Sequence, residues 1–140
     1  MKTVENNFKI LLIDDFETMI KIIRNILDEL GFHNIITARN GEIAWEVLNK
    51  ERIDFIISDW NMPIMTGFEL LKKVKASDSD FAHIPFLMVT AEAEKRHILD
   101  AVEEGVNQYI IKPFTSNTLK EKIASAIQHQ DKILAKKERN

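Results

Sequence analysis

FIISDWNMPIMTG, residues 55–67, changes from a continuous apolar run to an irregular loop at one acidic residue, Asp59. The run before Asp59 is rich in isoleucine and does not alternate between apolar and polar residues, which is typical of a strand buried on both faces. The loop after it contains Pro63 and ends at Gly67, and both residue types favour turns. The stretch therefore predicts a central strand that carries a carboxylate at its carboxyl end.

Apolar runs of the same kind recur on both sides of this stretch. The five predicted strands lie at 8–13, 34–38, 53–58, 84–90 and 108–111. Segments with apolar residues three and four positions apart separate them, as in amphipathic helices. These helices are predicted at about 17–30, at about 41–50, from Gly67, around 98–102 before Gly105, and around Leu119 with a continuation through Leu134. Five β–α units in a row predict a single α/β domain, with a doubly wound five-stranded parallel sheet and helices on both faces.

The composition excludes several classes of protein. A chain of 140 residues with 45% hydrophobic content fits one globular domain. Its formal net charge of −3 argues against a general nucleic-acid binder. It has no cysteine, which excludes disulfides, thiolate catalysis and cysteine-based zinc sites. The amino terminus lacks the pattern of a signal peptide, and its apolar run ILLI is far shorter than the roughly 20 residues that span a bilayer. We therefore expect a soluble, cytoplasmic protein without a membrane or nucleic-acid partner.

Polar side chains follow four of the predicted strands. Asp14 and Asp15 follow the first strand, Asp59 the third, Thr90 the fourth and Lys112 the fifth. Ligands of such sheets bind at the carboxyl ends of the strands, and three carboxylates gathered there repel one another unless a cation joins them. Mg²⁺ prefers oxygen ligands and often bridges to a phosphate. The pattern predicts a magnesium site beside Asp59, whose carboxylate is a candidate nucleophile for forming an aspartyl-phosphate.

Longer motifs carry a family resemblance. LLIDD (11–15), SDWNMPIMTGFELL (58–71), PFLMVTAEAEK (85–95) and YIIKPFT (109–115) together resemble the receiver domain of bacterial response regulators, and within that family the CheY-like chemotaxis proteins. The resemblance implies a flavodoxin-like domain with strand order 2-1-3-4-5 and five helices. It covers residues 1–128 and leaves 129–140 as a basic extension of the last helix or a tail.

The resemblance also implies a cofactor and its ligands. Asp59 would be the phosphoacceptor, and the cofactor would be Mg²⁺. The metal would be held by the carboxylates of Asp14, Asp15 and Asp59 and by the backbone carbonyl of Asn61.

Four further side chains take roles from the same resemblance. Thr90 and Lys112 would contact the phosphoryl group. Thr90 would also form the conformational switch with Tyr109. Glu92, together with Asn61, would tune how long the phosphate survives.

These roles imply a signalling protein rather than an enzyme with a separate substrate. The chain would be a stand-alone, monomeric receiver that catalyses its own phosphotransfer and its own slow dephosphorylation. Its phosphodonor would be a sensor histidine kinase of the CheA-like type. Its output would pass through the face formed by the fourth helix, fifth strand and fifth helix to the flagellar motor switch, and a phosphatase would be a further partner.

Other functions remain as alternatives at this point. A receiver could serve as a phosphorelay intermediate or a phosphate sink that never contacts the motor. A magnesium-dependent phosphatase with an aspartyl nucleophile usually places that nucleophile after the first strand in an Asp-x-Asp motif, which neither DDF (14–16) nor DWN (59–61) supplies. A flavodoxin-like cofactor binder needs a phosphate-cradling loop after the first strand, where Asp14 and Asp15 would repel an anion.

Overall fold

The computed structural model describes residues 8–91 and 95–139. The strands are β1 (Lys9–Ile13), β2 (Asn34–Ala38), β3 (Phe55–Asp59), β4 (Phe86–Thr90) and β5 (Gln108–Ile111). The helices are α1 (Glu17–Glu29), α2 (Gly41–Lys50), α3 (Gly67–Lys75), α4 (Lys95–Glu103) and α5 (Ser116–Arg139). A short 3₁₀ helix at Asp80–His83, which the periodicity did not predict, precedes β4.

The strands form one parallel sheet in the order β2-β1-β3-β4-β5. The predicted fold class and strand order are therefore confirmed. In the register of the sheet, Ile13 pairs with Ser58, Asp59 with Val89, and Thr90 with Ile111. Consequently β1, β3, β4 and β5 end at nearly the same level, and the residues that follow them meet at one edge.

Helices cover both faces of the sheet, as five β–α units require. Apolar side chains of α1 and α5 pack on one face, among them Ile23 and Ile123. Those of α2, α3 and α4 pack on the other face, among them Leu48, Leu71 and Ala101. The central strand β3 is buried along its whole length, which explains the uninterrupted apolar run in its sequence.

The last helix is longer than the apolar pattern alone required. α5 continues through residue 128 to Arg139, so the described backbone has no break at the predicted domain boundary, and that division stays a prediction. The extension contacts the body of the domain, because Gln130 is buried and accepts a hydrogen bond of 2.9 Å from Nδ2 of Asn107. In the described part of the chain, no helix is long and apolar enough to cross a membrane.

Candidate functional site

Three carboxylates meet at the carboxyl ends of β1 and β3. Asp14, Asp15 and Asp59 each offer an oxygen atom within 4.8 Å of the others. Asp14 and Asp59 are buried, with exposed fractions of 1% and 8%, whereas Asp15 is exposed. The cluster predicted from the ends of the strands is therefore present, and it opens to solvent on the side of Asp15.

The parallel sheet places these acids. β1 and β3 are neighbours, and Asp14 and Asp59 directly follow the paired residues Ile13 and Ser58. The backbone continues the sheet for one more residue on each side, since Asp14 N–H donates to the carbonyl of Ala38 at 3.1 Å and Trp60 N–H donates to that of Val89 at 2.9 Å. These bonds fix both acidic residues as part of the sheet edge rather than as part of a loose loop.

Lys112 brings the positive charge of the site. Its Nζ lies 3.1 Å from Oδ1 of Asp59 and 3.8 Å from Oδ2 of Asp14. The backbone N–H of Lys112 donates to the carbonyl of Thr90 at 2.8 Å, and the peptide bond from Lys112 to Pro113 is cis. The side chain is half-buried, so its ammonium group contacts both buried carboxylates from the β5 side.

The buried carboxylates hold protons more tightly than ordinary aspartates do. Burial raises the pKa of Asp14, and repulsion from Asp59 and Asp15 raises it further, while the N–H of Phe16 and the charge of Lys112 oppose the change. Burial also raises the pKa of Asp59, against the hydrogen bond and charge of Lys112. One ammonium group therefore does not compensate for the burial of two carboxylates.

The donor set fits a hard divalent cation. Oδ1 of Asp14 accepts a hydrogen bond of 2.9 Å from the N–H of Phe16, whereas its buried Oδ2 accepts none from any described residue. A buried carboxylate oxygen without a hydrogen bond is costly, and coordination to a metal ion would satisfy it. Oxygen atoms from two or three carboxylates are the ligands that Mg²⁺ uses in proteins. Asp14, Asp15 and Asp59 are thus the residues that would hold the ion.

Thr90 and Tyr109 lie on the neighbouring strands. Thr90 is the last residue of β4, is 2% exposed, and is one register position beyond the partner of Asp59. Tyr109 pairs with Met88 on the same strand as Thr90, and its half-buried ring packs against the core beneath α2, α3 and α4. Lys122 of α5 also contacts Tyr109, since its Nζ lies 5.1 Å from the centre of the ring.

Of the two residues predicted to tune phosphate lifetime, only Asn61 lies in the described part of the chain. Asn61 lies in the loop after β3, two residues beyond Asp59, with its side chain exposed. Glu92 lies outside the described residues. The role of both residues in phosphate lifetime stays a prediction.

Gly67 is a residue of the site that the sequence pattern treated only as a turn. A Cβ atom at Gly67 would lie 2.1 Å from the carbonyl oxygen of Asp59, and the N–H of Gly67 donates to the carbonyl of Trp60 at 2.8 Å. Helix α3 therefore begins in direct contact with the backbone of Asp59. The neighbouring capping box, in which Thr66 and Glu69 exchange hydrogen bonds, is readable from the spacing TGFE, but the close approach of two backbones is not.

Trp60 joins the site to two helices. Its indole stacks on Phe68 of α3, with a centroid distance of 5.1 Å and an angle of 13°, and on His97 of α4, with 5.1 Å and 27°. No local pattern reveals the stack, because Trp60 and His97 are distant in sequence and meet only in the folded chain.

Comparisons with known proteins agree on one family. The family model of the response regulator receiver domain matches residues 10–124. The chemotaxis protein CheY-3 of Vibrio cholerae serotype O1 is 49% identical over 120 residues, which cover 86% of this chain and 92% of that protein.

Solved structures give the same answer. The chemotaxis response regulator CheY4 of Vibrio cholerae superimposes with a TM-score of 0.77 at 33% identity, covering 84% of this chain and 97% of that one. The receiver domain of the sensor histidine kinase PA1611 of Pseudomonas aeruginosa PAO1, solved with a magnesium ion coordinated in its active site cleft, gives a TM-score of 0.72 at 25% identity, covering 81% and 91%.

Proposed function

Because the chain belongs to the response regulator receiver family, we propose that it is a CheY-like signalling protein that accepts a phosphoryl group on Asp59. The observation that carries this proposal is the cluster of Asp14, Asp15 and Asp59, with the ammonium of Lys112 3.1 Å from Asp59. The magnesium-bound receiver domain of PA1611 supports Mg²⁺ as the cofactor, held by the three carboxylates and the backbone carbonyl of Asn61.

The site residues divide the work of phosphotransfer. One carboxylate oxygen of Asp59 attacks the phosphorus atom of a phosphohistidine, the bond from phosphorus to nitrogen breaks, and an acyl phosphate forms on Asp59. The ammonium of Lys112, which is hydrogen-bonded to Asp59, shifts to donate to one phosphoryl oxygen. The Thr90 hydroxyl donates a hydrogen bond to a second phosphoryl oxygen. The bound metal supplies neutralisation of the charge on the transferred group. By resemblance to the family, Asn61 and Glu92 set the lifetime of the phosphate.

We propose that the signal leaves through the face of α4, β5 and α5. Movement of Thr90 towards the phosphate makes room for the ring of Tyr109 to turn inward, which shifts an existing equilibrium of that face. Leu99, Val102 and Ile111 are large apolar residues exposed on it, as a surface that binds a partner requires. The similarity to a chemotaxis protein favours the flagellar motor switch as the target in the cytoplasm, a CheA-like histidine kinase as the donor, and a dedicated phosphatase as a further partner.

Phosphorylation can be tested by incubating the protein with Mg²⁺ and phosphoramidate and measuring its intact mass. We expect one labile phosphate, which Asp59→Asn and a chelator both abolish and which Asp78→Asn, an exposed acid outside the cluster, retains. Phosphorylation of Asp59→Asn at the wild-type rate would overturn the assignment. Many turnovers per chain on a phosphate ester would instead indicate a phosphatase.

The output can be tested separately with purified motor switch protein. We expect binding to increase on addition of beryllofluoride, which mimics the phosphoryl group, and to be lost when Leu99 and Val102 are replaced by serine. Binding that is absent or indifferent to beryllofluoride would favour a relay intermediate or phosphate sink.

A further inference from the structure

The loop between Asp59 and α3 contains a strained turn at Ile64. The φ angle of Ile64 is +70°, and no other non-glycine residue in the described part of the chain has a positive φ angle. The N–H of Met65 donates to the carbonyl of Pro63 at 2.7 Å. A hydrogen bond of this span around a residue with positive φ defines the rare form of the γ-turn, which is strained. The β-branched side chain of Ile64 adds to the strain, because it is crowded at positive φ.

Backbone contacts around the loop hold this turn in place. The carbonyl of Met65 accepts a hydrogen bond of 3.3 Å from the N–H of Gly41, the first residue of α2. The two segments are in such close contact that a Cβ atom at Gly41 would lie 2.8 Å from the side chain of Met65. The N–H of Gly67 donates to the carbonyl of Trp60 at 2.8 Å and so closes the loop. The surrounding structure therefore imposes the conformation of Ile64.

Burial does not offset the strain at Ile64. The residue is 73% exposed, which is the largest exposed fraction of any large apolar residue in the described ranges. Asparagine or glycine would adopt the same φ angle with less strain and would expose less apolar surface. Because strained residues that the fold does not need cluster at binding and catalytic sites, we infer that Ile64 is presented to a partner.

The position of Ile64 indicates which partner it contacts. Ile64 lies in the loop that follows Asp59, and Phe16, which is 62% exposed, directly follows Asp15. Large exposed apolar side chains thus occur in both loops that carry the acidic cluster, and the cluster opens to solvent on the side of Asp15. A protein that delivers a phosphoryl group to Asp59 must approach over these loops. The proposed output face is built instead around β5, an edge strand that β4 separates from β3.

We propose that Ile64 is an apolar contact for the protein phosphodonor and determines its specificity. The partner is a phosphohistidine protein whose surface beside the histidine is apolar, and this inference rests on the proposed phosphorylation of Asp59. Burial of the Ile64 side chain in the complex would stabilise binding in proportion to the apolar area removed from water. A small donor such as phosphoramidate offers no apolar surface to Ile64. The residue therefore favours protein donors over small donors.

The test compares two donors on the full-length Ile64→Asn protein in the presence of Mg²⁺. One rate constant is measured for transfer from an autophosphorylated CheA-like kinase, and the other for labelling by phosphoramidate. We expect the ratio of the first to the second to fall at least about fivefold relative to the wild type. The melting temperature should rise by about 2–5 °C, because asparagine relieves the strain. An unchanged ratio would overturn the proposal, and so would a lower melting temperature, which would mean that Ile64 serves the fold.

Two further variants separate the apolar contact from other effects of the substitution. Ile64→Leu keeps an apolar side chain, so its ratio should stay within about twofold of the wild type. Ile43→Asn changes an isoleucine of α2 that is 41% exposed and lies outside the loop, and it should leave the ratio unchanged. A loss in either variant equal to that of Ile64→Asn would contradict a specific apolar contact at Ile64.

The same measurements distinguish this inference from the proposed function. If phosphoramidate does not label the wild type, the phosphorylation of Asp59 is wrong. If phosphoramidate labels the wild type but the kinase does not phosphorylate it, the donor is wrong, and the contact with Ile64 is wrong with it. If both donors react and Ile64→Asn keeps the wild-type ratio but loses binding to the motor switch protein with beryllofluoride, Ile64 serves the output and only this inference is wrong.

Discussion

Lys112 donates a hydrogen bond of 3.1 Å to Asp59 across β4, which separates their two strands in the sheet. Its positive charge would repel a divalent cation bound by the same carboxylates. Unit charges about 4 Å apart interact by about 1–4 kcal/mol near a protein surface. We therefore predict that Lys112→Met binds Mg²⁺ about three- to tenfold more tightly while accepting a phosphoryl group more slowly. Titration of Trp60 fluorescence in a Trp45→Phe background measures the first effect, and intact mass with phosphoramidate the second.

The control for this prediction is Lys120→Met, an exposed lysine of α5, which should leave both quantities unchanged. A weaker affinity of Lys112→Met for Mg²⁺ would mean that Lys112 organises the carboxylates rather than competing with the metal.

The raised pKa of Asp59 gives a prediction about stability. Because the folded-state pKa lies above the unfolded value of 3.8, folding binds a proton in the window between them. This proton uptake by Asp59 stabilises the folded protein. Its contribution is complete below the unfolded pKa and is lost as pH rises through the folded pKa. Asp59→Asn removes the buried charge. We therefore predict that, without metal at pH 7, it raises the melting temperature by a few degrees, which corresponds to about 1 kcal/mol in the free energy of unfolding. The difference should shrink towards pH 3.5.

Calorimetry of both proteins with a chelator measures this effect, with Asp78→Asn as the matched exposed acid. Added Mg²⁺ should stabilise the wild type more than Asp59→Asn, since binding to the folded state alone raises its stability. An unchanged melting temperature of Asp59→Asn at pH 7 would show that Lys112 already compensates the buried charge.

The acidic site was predictable because it depends on the ends of strands. Parallel pairing brings residues that follow neighbouring strands to one edge, so Asp14, Asp59 and Lys112 could be placed together from apolar runs alone. The long α5 was only partly predictable, because residues 129–139 have a polar sequence and the packing of Gln130 against Asn107 decides how the helix is seated. No sequence pattern predicted the stacking of Trp60 on His97, since the two residues are distant in sequence.

Gly67 separates helix propensity from packing. It is the first residue of α3, where alanine would favour the helix by up to about 1 kcal/mol. The added Cβ would, however, lie 2.1 Å from the carbonyl oxygen of Asp59 and 3.0 Å from Sδ of Met88. Since the first of these is backbone, we predict that Gly67→Ala lowers the free energy of unfolding by more than about 2 kcal/mol and slows phosphorylation of Asp59.

Denaturant unfolding measures this change, and Gly31→Ala provides the comparison. At Gly31 the φ angle is +96° but nothing lies within 4 Å of the added Cβ, so the expected loss is only about 1 kcal/mol and phosphorylation should be unaffected. Stabilisation by Gly67→Ala would mean that α3 can shift away from β3.

The lowered pKa of Lys75 predicts that its contribution to the free energy of unfolding becomes more favourable in alkaline solution. Burial lowers its folded-state pKa to about 8, below the ordinary value of 10.5, so between these values the unfolded chain binds a proton that the folded protein does not. The penalty for burying the charge is complete below pH 8 and is relieved as pH rises towards 10.5. Lys75→Met should therefore be more stable than the wild type at pH 7, by about 1–2 kcal/mol after allowance for partial exposure. The advantage should fall by pH 9.5, as urea unfolding at both pH values can measure. Lys120→Met should show no such dependence, and a constant difference between Lys75→Met and the wild type would mean that Asn107, which accepts a hydrogen bond from Lys75, holds the charged amine without penalty.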